Sequence, residues 1–372
     1  MKAWPVVGIL LVQAFLLLAH WFIYHTWIAF WPLGPAAALR LGAALLLLAF
    51  SFIIAALLSY RFSNPLVALI YKIAAVWLGF LNYIFWAACL SWLAWFAMLL
   101  SGLHANPAHV RPLIFAALCA LAVVTGIYGL LNARRIRIRR VAVKLPNLPA
   151  SWRGRTALVL SDLHLGNVNG LRFCRRMTAM ASRLRPDIAF LPGDIFDGMK
   201  TDPDRLAAPF KELRPPLGVY FSTGNHEEYG DEAHGLEALN RVGVRALMNE
   251  KETVDGLIIA GVTYSDSTYP IRLRATLEGL SLEPAQASIL LNHMPSRLPI
   301  VEQAGVSLQI SGHTHCGQLF PYTWFTRRVF GKFTYGLQRF GALQVYTSSG
   351  AGTWGPPMRV GTSAEMVLLR FE

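Results

Sequence analysis

Acidic residues are missing from the first 161 positions of this 372-residue chain, in which no aspartate or glutamate precedes Asp162. That part carries 13 lysine and arginine residues, whereas the remainder holds the other 21 basic residues and all 21 acidic ones. The formal net charge of +13 therefore belongs to the N-terminal part, and the C-terminal part is neutral overall. This distribution argues against a nucleic-acid-binding protein, and we expect no nucleic-acid partner.

Cysteine and charged residues are also scarce. The four cysteines are widely separated and form no C-x-x-C pair, which excludes a disulfide framework and a cysteine-based zinc site. Charged residues make up 15% of the chain and hydrophobic residues 54%, proportions that are unusual for a soluble globular protein. The excess of apolar residues points to a membrane-embedded part.

Four long apolar runs fill the N-terminal third of the chain. They cover residues 5–31, 36–60, 73–100 and 112–131. Each run reaches the roughly 20 residues that a helix needs to cross the bilayer core, and uninterrupted runs of this length span as helices. The first run is too long for a cleaved signal peptide, and further runs follow it. We therefore expect a transmembrane helical domain of about four spans over residues 1–133.

Lysine and arginine in the short loops predict the orientation of this domain. Lys2 precedes the first run, Arg61 and Lys72 lie between the second and the third, and a further basic stretch follows the fourth. With four spans, these three segments lie on the same side of the membrane. The opposite loops hold only Arg40 and Arg111. Because positive residues favour the cytoplasmic side, we expect a multi-pass protein of the cell (inner) membrane whose C-terminal domain faces the cytoplasm.

Residues 134–155 are expected to be a basic juxtamembrane linker. The second half of this range is marked by proline and glycine, which is typical of connecting segments. The basic residues in the first half would attract the head groups of anionic membrane lipids. They are Arg134, Arg135, Arg137, Arg139, Arg140 and Lys144.

The pattern changes at Thr156, where short apolar segments begin to alternate with amphipathic helical segments. Such alternation predicts a layered α/β domain over residues 156–372. Several apolar segments end in a small residue that is followed by aspartate, asparagine or histidine. Because ligands bind beyond the carboxyl ends of the strands in α/β sheets, these side chains would converge if the strands are neighbours. They are Asp162, His164, Asp194, Asp197, Asn225, His226, His293, His313 and His315.

The residue types in this set predict a metal centre. Carboxylate, amide and imidazole ligands suit manganese, iron or zinc better than soft metals. The set is too large for one tetrahedral ion, so we expect two divalent metal ions. Two ions about 3.5–4 Å apart are the arrangement used for in-line displacement at phosphorus.

The order of these motifs resembles the five-block signature of calcineurin-like metallophosphoesterases. The blocks are S-D-L-H (161–164), G-D-I-F-D (193–197), G-N-H-E (224–227), N-H-M-P (292–295) and G-H-T-H (312–315). The later G-P-P-M-R (355–359) further resembles the bacterial subgroup with an N-terminal membrane anchor. The resemblance spans residues 156–372 and implies a catalytic domain with two mixed sheets between helices, an α/β/β/α sandwich.

The resemblance also implies a role for each metal ligand. One ion would be bound by Asp162, His164 and His315. The other would be bound by Asn225, His293 and His313, with Asp194 bridging the two. A water or hydroxide between the ions would be the nucleophile, because metal coordination lowers its pKa towards neutrality.

Two further residues are implied in catalysis without binding metal. His226 would stabilise charge on the phosphoryl group or protonate the leaving oxygen. Asp197 would orient His226 and favour its charged form; helix capping is the alternative role for Asp197. Glu227 and Glu228 are expected to be supporting or surface residues rather than ligands.

The segment 319–340 is unusually aromatic and basic, and two interpretations of it are open. It is either an amphipathic patch that enters the membrane and admits a lipid substrate, or a partly buried hairpin with a basic rim.

Three functions are compatible with these observations. The first is hydrolysis of a membrane-associated phosphodiester or pyrophosphate, such as the lipid-linked UDP-diacylglucosamine, which some relatives of this kind hydrolyse. The second is a phosphodiesterase or phosphatase that acts on a soluble substrate and is merely tethered to the membrane. The third is a catalytically inactive receptor or scaffold, which the complete ligand set disfavours. A nuclease is disfavoured because the C-terminal part has no net positive charge.

Overall fold

The computed structural model describes residues 3–102 and 106–372 of the chain. Lys2, which contributes to the orientation argument, lies outside these ranges. Contacts divide the chain into two units. The first comprises the residues up to Leu131 together with Gly355–Met358, and the second comprises Asn132–Trp354 and Arg359–Glu372.

The first unit contains the four expected apolar helices. They are α1 (Ala3–Phe30), α2 (Pro35–Arg61), α3 (Pro65–Leu100) and α4 (Pro107–Arg134). Each is long and apolar enough to cross a membrane, so the prediction of four spans is confirmed. Lys72 lies on α3 and not in the preceding loop, where we expected it. The apolar run marks only the hydrophobic middle of a helix, whose first turns can be polar.

Several polar side chains inside this unit form hydrogen bonds. The ring Nδ1 of His20 lies 2.7 Å from the Leu16 carbonyl oxygen, one turn earlier on α1. The Trp77 indole donates to Nε2 of His20 at 3.0 Å, and the Trp92 indole donates to the Thr26 hydroxyl at 3.0 Å. The two indole bonds join α1 to α3. All three contacts pair polar groups that would be costly to leave unpaired in lipid.

The second unit is built on twelve strands and eight helices within the described residues. The strands are β1 (Arg137–Val143), β2 (Thr156–Val159), β3 (Ile188–Pro192), β4 (Val219–Ser222), β5 (Val244–Ala246), β6 (Glu250–Val254), β7 (Leu257–Gly261), β8 (Ser288–Leu291), β9 (Leu308–Ser311), β10 (Gly336–Phe340), β11 (Leu343–Thr347) and β12 (Glu365–Phe371). The helices are α5 (Leu171–Arg183), α6 (Pro203–Ala207), α7 (Asn225–Tyr229), α8 (Glu232–Arg241), α9 (Tyr264–Thr268), α10 (Pro270–Leu280), α11 (Leu298–Gln303) and α12 (Tyr322–Phe330).

These strands form two mixed six-stranded sheets, as predicted. The first has the order β1-β12-β2-β3-β4-β5, with β2 to β5 parallel and β12 antiparallel to β2. The second has the order β10-β11-β9-β8-β7-β6, with a parallel centre and antiparallel edges. The ends of β2, β3, β4, β8 and β9 therefore carry the five motifs.

The core confirms the layered sandwich. Side chains of both sheets, among them Phe190 and Ile289, form one buried cluster between the sheets. On the outer face of the first sheet, Met177 of α5 packs into a second cluster. On the outer face of the second sheet, Leu273 and Leu277 of α10 pack into a third.

The expected linker contains one element that we did not predict. Residues 137–143 form β1, an edge strand whose register runs from Arg137 opposite Glu365 to Val143 opposite Phe371. Arginines at both faces of β1 hide the alternation that marks a strand, and only Val143 is fully buried. Its partner β12 lies at the other end of the chain, so no local signal indicates the pairing.

Candidate metal centre

The nine predicted side chains lie in one connected cluster at the carboxyl ends of the strands. Each strand turns directly into its motif, so the backbone places the side chain at the sheet edge. Residues after β2, β3 and β4 come from the first sheet, and residues after β8 and β9 come from the second. The cluster therefore lies where the two sheets meet.

The first ligand group contains Asp162, His164 and His315. Their ligand atoms lie within 4.8 Å of one another, and all three side chains are buried. The Nε2 atoms of His164 and His315 are 2.9 Å apart, and Nε2 of His315 is 3.4 Å from Oδ1 of Asp162. This is the set that the family resemblance implies for one ion.

The second ligand group contains Asp194, His293 and His313, again within 4.8 Å. The amide oxygen of Asn225 lies 2.9 Å from Nδ1 of His313 and so adds a fourth ligand atom. Oδ2 of Asp194 is 3.1 Å from Nε2 of His293 and 3.7 Å from Nε2 of His164. Asp194 thus touches a histidine of each group, which is the position required of a bridging carboxylate.

The surroundings of His293 favour a positive charge at this position of the cluster. Its Nδ1 lies 2.7 Å from the Pro192 carbonyl oxygen, which only accepts, so Nδ1 carries the proton. Nε2 lies 3.1 Å from Oδ2 of Asp194, so without a metal ion a proton on Nε2 must separate the two atoms. Burial lowers the pKa of His293, but Asp194 and Asp162 outweigh it and raise it to about 10. A divalent ion supplies the positive charge that the site otherwise takes from a proton, so the residues fit a metal.

Two other histidines of the cluster, His313 and His315, are held neutral, as metal ligands must be. Burial acts to lower the pKa of His164 as well, but the neighbouring carboxylates outweigh it and raise that pKa. Burial and the neighbouring His293 lower the pKa of His313 to about 3. Burial and the neighbouring His164 lower the pKa of His315 well below its usual value. Burial acts to raise the pKa of Asp194, but His293 and His164 outweigh it and hold that pKa below its usual range.

His226 and Asp197 meet in a different way from the one expected. Nδ1 of His226 lies 3.0 Å from the backbone carbonyl of Asp197 and 3.6 Å from its carboxylate. The carboxylate is closer to Nδ1 of His164, at 3.3 Å. Burial and His164 lower the pKa of His226 although Asp194 and Asp197 oppose them. Asp197 therefore orients the ring mainly through its carbonyl group.

Helix capping does not explain Asp197. The next helix, α6, begins at Pro203, and its cap is Asp202, whose side chain accepts from the Arg205 amide at 3.0 Å. Asp197 instead is buried against the two histidines.

Glu227 has the supporting role, one of the two that the sequence left open for it. Its carboxylate is buried and accepts four backbone N–H groups: those of Asp194, Ile195, Phe196 and Gly224, at 2.7–3.0 Å. Burial, aided by the charge of Asp194, raises the pKa of Glu227 to about 7. Glu227 thus joins two turns, the one that contains Asp194 and the one that contains Asn225. The G-N-H-E motif was the available signal.

Arg359 is a residue that the sequence analysis did not assign. Its guanidinium group is buried behind His315 and donates to the His315 carbonyl at 3.3 Å. It also donates to the carbonyls of Gly350 and Gly352, at 3.2 and 2.6 Å. The G-P-P-M-R motif contains this arginine, but its partners are mostly backbone carbonyls, so the motif alone does not reveal the contact with His315.

Aromatic rings surround the cluster. Tyr229 and the exposed Trp354 flank His226, with ring centroids 5.4 and 6.3 Å from it. Tyr264 lies 6.1 Å from His293 and 6.0 Å from His313.

Comparisons with known proteins point to one family. The family profile described as calcineurin-like phosphoesterase matches residues 155–317. A Danio rerio protein described as a transmembrane protein with metallophosphoesterase domain is 32% identical, over 66% of this chain and 60% of its own length. An uncharacterized metallophosphoesterase of Aquifex aeolicus is also 32% identical, over 68% of this chain and 98% of its own length. One of Campylobacter jejuni is 28% identical over 70% of each chain. The chain thus spans about 60% of the length of the vertebrate relative.

Proposed function

Because this chain belongs to the calcineurin-like phosphoesterase family, whose members are metal-dependent phosphoester hydrolases, we propose that it hydrolyses a phosphodiester or pyrophosphate of a lipid-linked substrate, such as UDP-diacylglucosamine. One observation carries the choice of centre: Oδ2 of Asp194 lies 3.7 Å from Nε2 of His164 in one ligand group and 3.1 Å from Nε2 of His293 in the other. The four apolar helices favour a membrane-associated substrate over a soluble one.

Within the described residues three groups of side chains could hold a metal ion, and one of them joins His226 to His164 and Asp194. We propose ligands from the other two groups and assign His226 to the substrate. Asp162, His164 and His315 would hold one ion. Asn225, His293 and His313 would hold the other, and Asp194 would contribute its carboxylate to both. Bound divalent ions supply the positive charge that activates water and polarises a phosphoryl oxygen. The ligand types suit manganese, iron or zinc.

His226 is the group that we propose to meet the leaving oxygen. The Asp197 carbonyl accepts from Nδ1–H of His226, which leaves Nε2 as the ring atom free to act. The His226 amide donates to Oδ1 of Asp194 at 2.9 Å, so the backbone of this residue is tied to the centre. When Nε2 carries a proton, it can stabilise the phosphoryl oxygens or protonate the departing group.

An activity assay on the full-length protein in detergent with added manganese tests this proposal. It compares bis-p-nitrophenyl phosphate, p-nitrophenyl phosphate and UDP-diacylglucosamine. We expect turnover that chelation abolishes, with the lipid-linked pyrophosphate preferred. Preference for a soluble substrate would reject the lipid assignment, and no turnover in metal-loaded protein would favour a receptor or scaffold.

Two variants distinguish a metal-binding residue from the residue proposed to protonate the leaving oxygen. We expect Asp194→Ala to lose bound metal and turnover together, and His226→Ala to keep its metal while losing turnover. His234→Ala is the matched control, because that histidine is exposed and pairs with Asp204 at the surface. Loss of metal in His226→Ala would contradict the proposed role.

A further inference from the structure

Helix α12 presents an apolar surface that the described residues leave uncovered. Trp324, Phe325 and Val329 are 65%, 63% and 73% exposed. Tyr322, Phe325 and Val329 follow the i, i+3, i+7 spacing of one helix face, and Thr323 points to the opposite, buried side. Exposed aromatic and aliphatic side chains grouped in this way mark an interaction surface.

Basic residues accompany this apolar face. Arg327 and Arg328 are exposed on α12, and Lys332 lies in the turn that follows. Lys332 also lines a surface depression of about 500 Å³, together with Lys144 and Arg339. Within the described residues no ion pair joins these five side chains to a carboxylate, whereas the nearby Arg139 pairs with Glu365 at 3.9 Å.

The chain sequence explains why these cations are unpaired. Lys144 belongs to the stretch before Asp162 that contains no acidic residue. The other four belong to a second such stretch, residues 303–364. The fold brings the two acid-free stretches together at the depression, since Lys144 follows β1 and Arg339 lies on β10.

Lys144, one of these cations, follows the last apolar helix closely in the chain. Helix α4 ends at Arg134, and Lys144 lies ten residues later. Even a fully extended chain of that length spans at most about 35 Å. The depression therefore includes a cation that a short chain segment joins to a helix long and apolar enough to cross a bilayer.

We propose that α12, Lys332 and the basic depression form a docking surface for an anionic lipid bilayer. Aromatic side chains favour the interfacial region of a membrane. Each basic side chain near an anionic leaflet strengthens binding by about fivefold. The combination of exposed Trp324 and Phe325 with unpaired cations matches that environment and not a neutral protein surface.

This docking has a consequence for the metal centre that rests on the proposed function. Phe330, the last residue of α12, lies with its ring centroid 6.2 Å from that of His313. A bilayer bound to α12 would therefore lie beside the centre and present lipid-linked substrate to it.

Hydrogen exchange on the full-length protein in nanodiscs tests the docking without any need for catalysis. The lipid is phosphatidylcholine alone or phosphatidylcholine with phosphatidylglycerol, and the peptides of interest cover residues 320–334. We expect exchange to be slower by roughly tenfold or more with phosphatidylglycerol. The protection should disappear in Trp324→Ser/Phe325→Ser/Val329→Ser and in Arg327→Gln/Arg328→Gln/Lys332→Gln.

Two matched controls should keep the protection. Arg172→Gln/Arg175→Gln/Arg176→Gln removes three exposed arginines from α5, which tests for a general effect of charge. Tyr269→Ser/Ile271→Ser removes two exposed apolar side chains near α10.

Three results would overturn the proposal. One is equal exchange of residues 320–334 in both lipid mixtures. Another is equal loss of protection in the α5 control. The third is protection by inorganic phosphate in detergent that matches the effect of phosphatidylglycerol, which would identify an anion pocket in place of a bilayer surface.

Discussion

Glu227 organises the centre through its four backbone hydrogen bonds, so we expect Glu227→Gln to destabilise the second unit. The amide can accept at one oxygen only, and its NH₂ group faces buried N–H donors. We expect a loss of about 2–4 kcal/mol, seen as a lower thermal midpoint, and reduced metal content. Glu228→Gln is the control, because Glu228 is partly buried and its carboxylate accepts from the Ser265 amide. Equal effects of the two changes would contradict this role of Glu227.

Gly224 allows the backbone to approach Asp194 closely. A Cβ atom at this position would overlap Oδ1 of that carboxylate. We expect Gly224→Ala to displace Asp194 and reduce bound metal and turnover by roughly tenfold or more, as measured by elemental analysis and by the phosphoester assay. Gly279→Ala on α10, where a Cβ meets nothing within 4 Å, should leave both unchanged.

Arg359 positions His315, and its planar guanidinium cannot be replaced by an ammonium. We expect Arg359→Lys to weaken metal binding by about 10- to 100-fold, as is usual when a partner of a metal ligand is lost. Titration with manganese measures the change, and Arg274→Lys at the exposed bond to Gln303 is the control. Unchanged affinity would show that Arg359 only supports the fold.

At the scale of elements, β1 gives the clearest test of the fold, because the sequence analysis predicted a linker over these residues. Val143 is fully buried opposite Phe371, whereas Ile138 on the same strand is 38% exposed. We expect Val143→Asp to lower the thermal midpoint strongly, since a buried carboxylate without a partner is costly. Ile138→Asp should have a small effect. A linker would tolerate both changes equally.

The elements that the sequence predicted correctly are those whose signal is local. The strand before Asp162 and the one before Asp194 are short apolar segments that end in a motif, and the structure has them as β2 and β3. The long apolar runs likewise became α1 to α4. By contrast, β1 and Arg359 depend on partners far away in the chain, and the bonds of Glu227 depend on a turn geometry that residue types alone do not determine.

At the scale of the whole molecule, the orientation in the membrane remains a prediction that fusions can test. We expect a green fluorescent protein joined after Glu372 to fluoresce in a bacterial host, and alkaline phosphatase joined there to be inactive. After Gly102, which follows α3 on the opposite side of the membrane, the green fluorescent protein should be dark and alkaline phosphatase should be active. The reverse pattern at both positions would place the metal centre outside the cytoplasm.

The metal content of the full-length protein tests the central claim most directly. Elemental analysis of the protein purified in detergent and loaded with manganese is compared with that of Asp194→Ala. A shared centre predicts two divalent ions per chain in the native protein, and loss of tight binding at both positions in the variant, because Asp194 contacts a histidine of each ligand group. Two ions retained in Asp194→Ala, with turnover intact, would contradict the account.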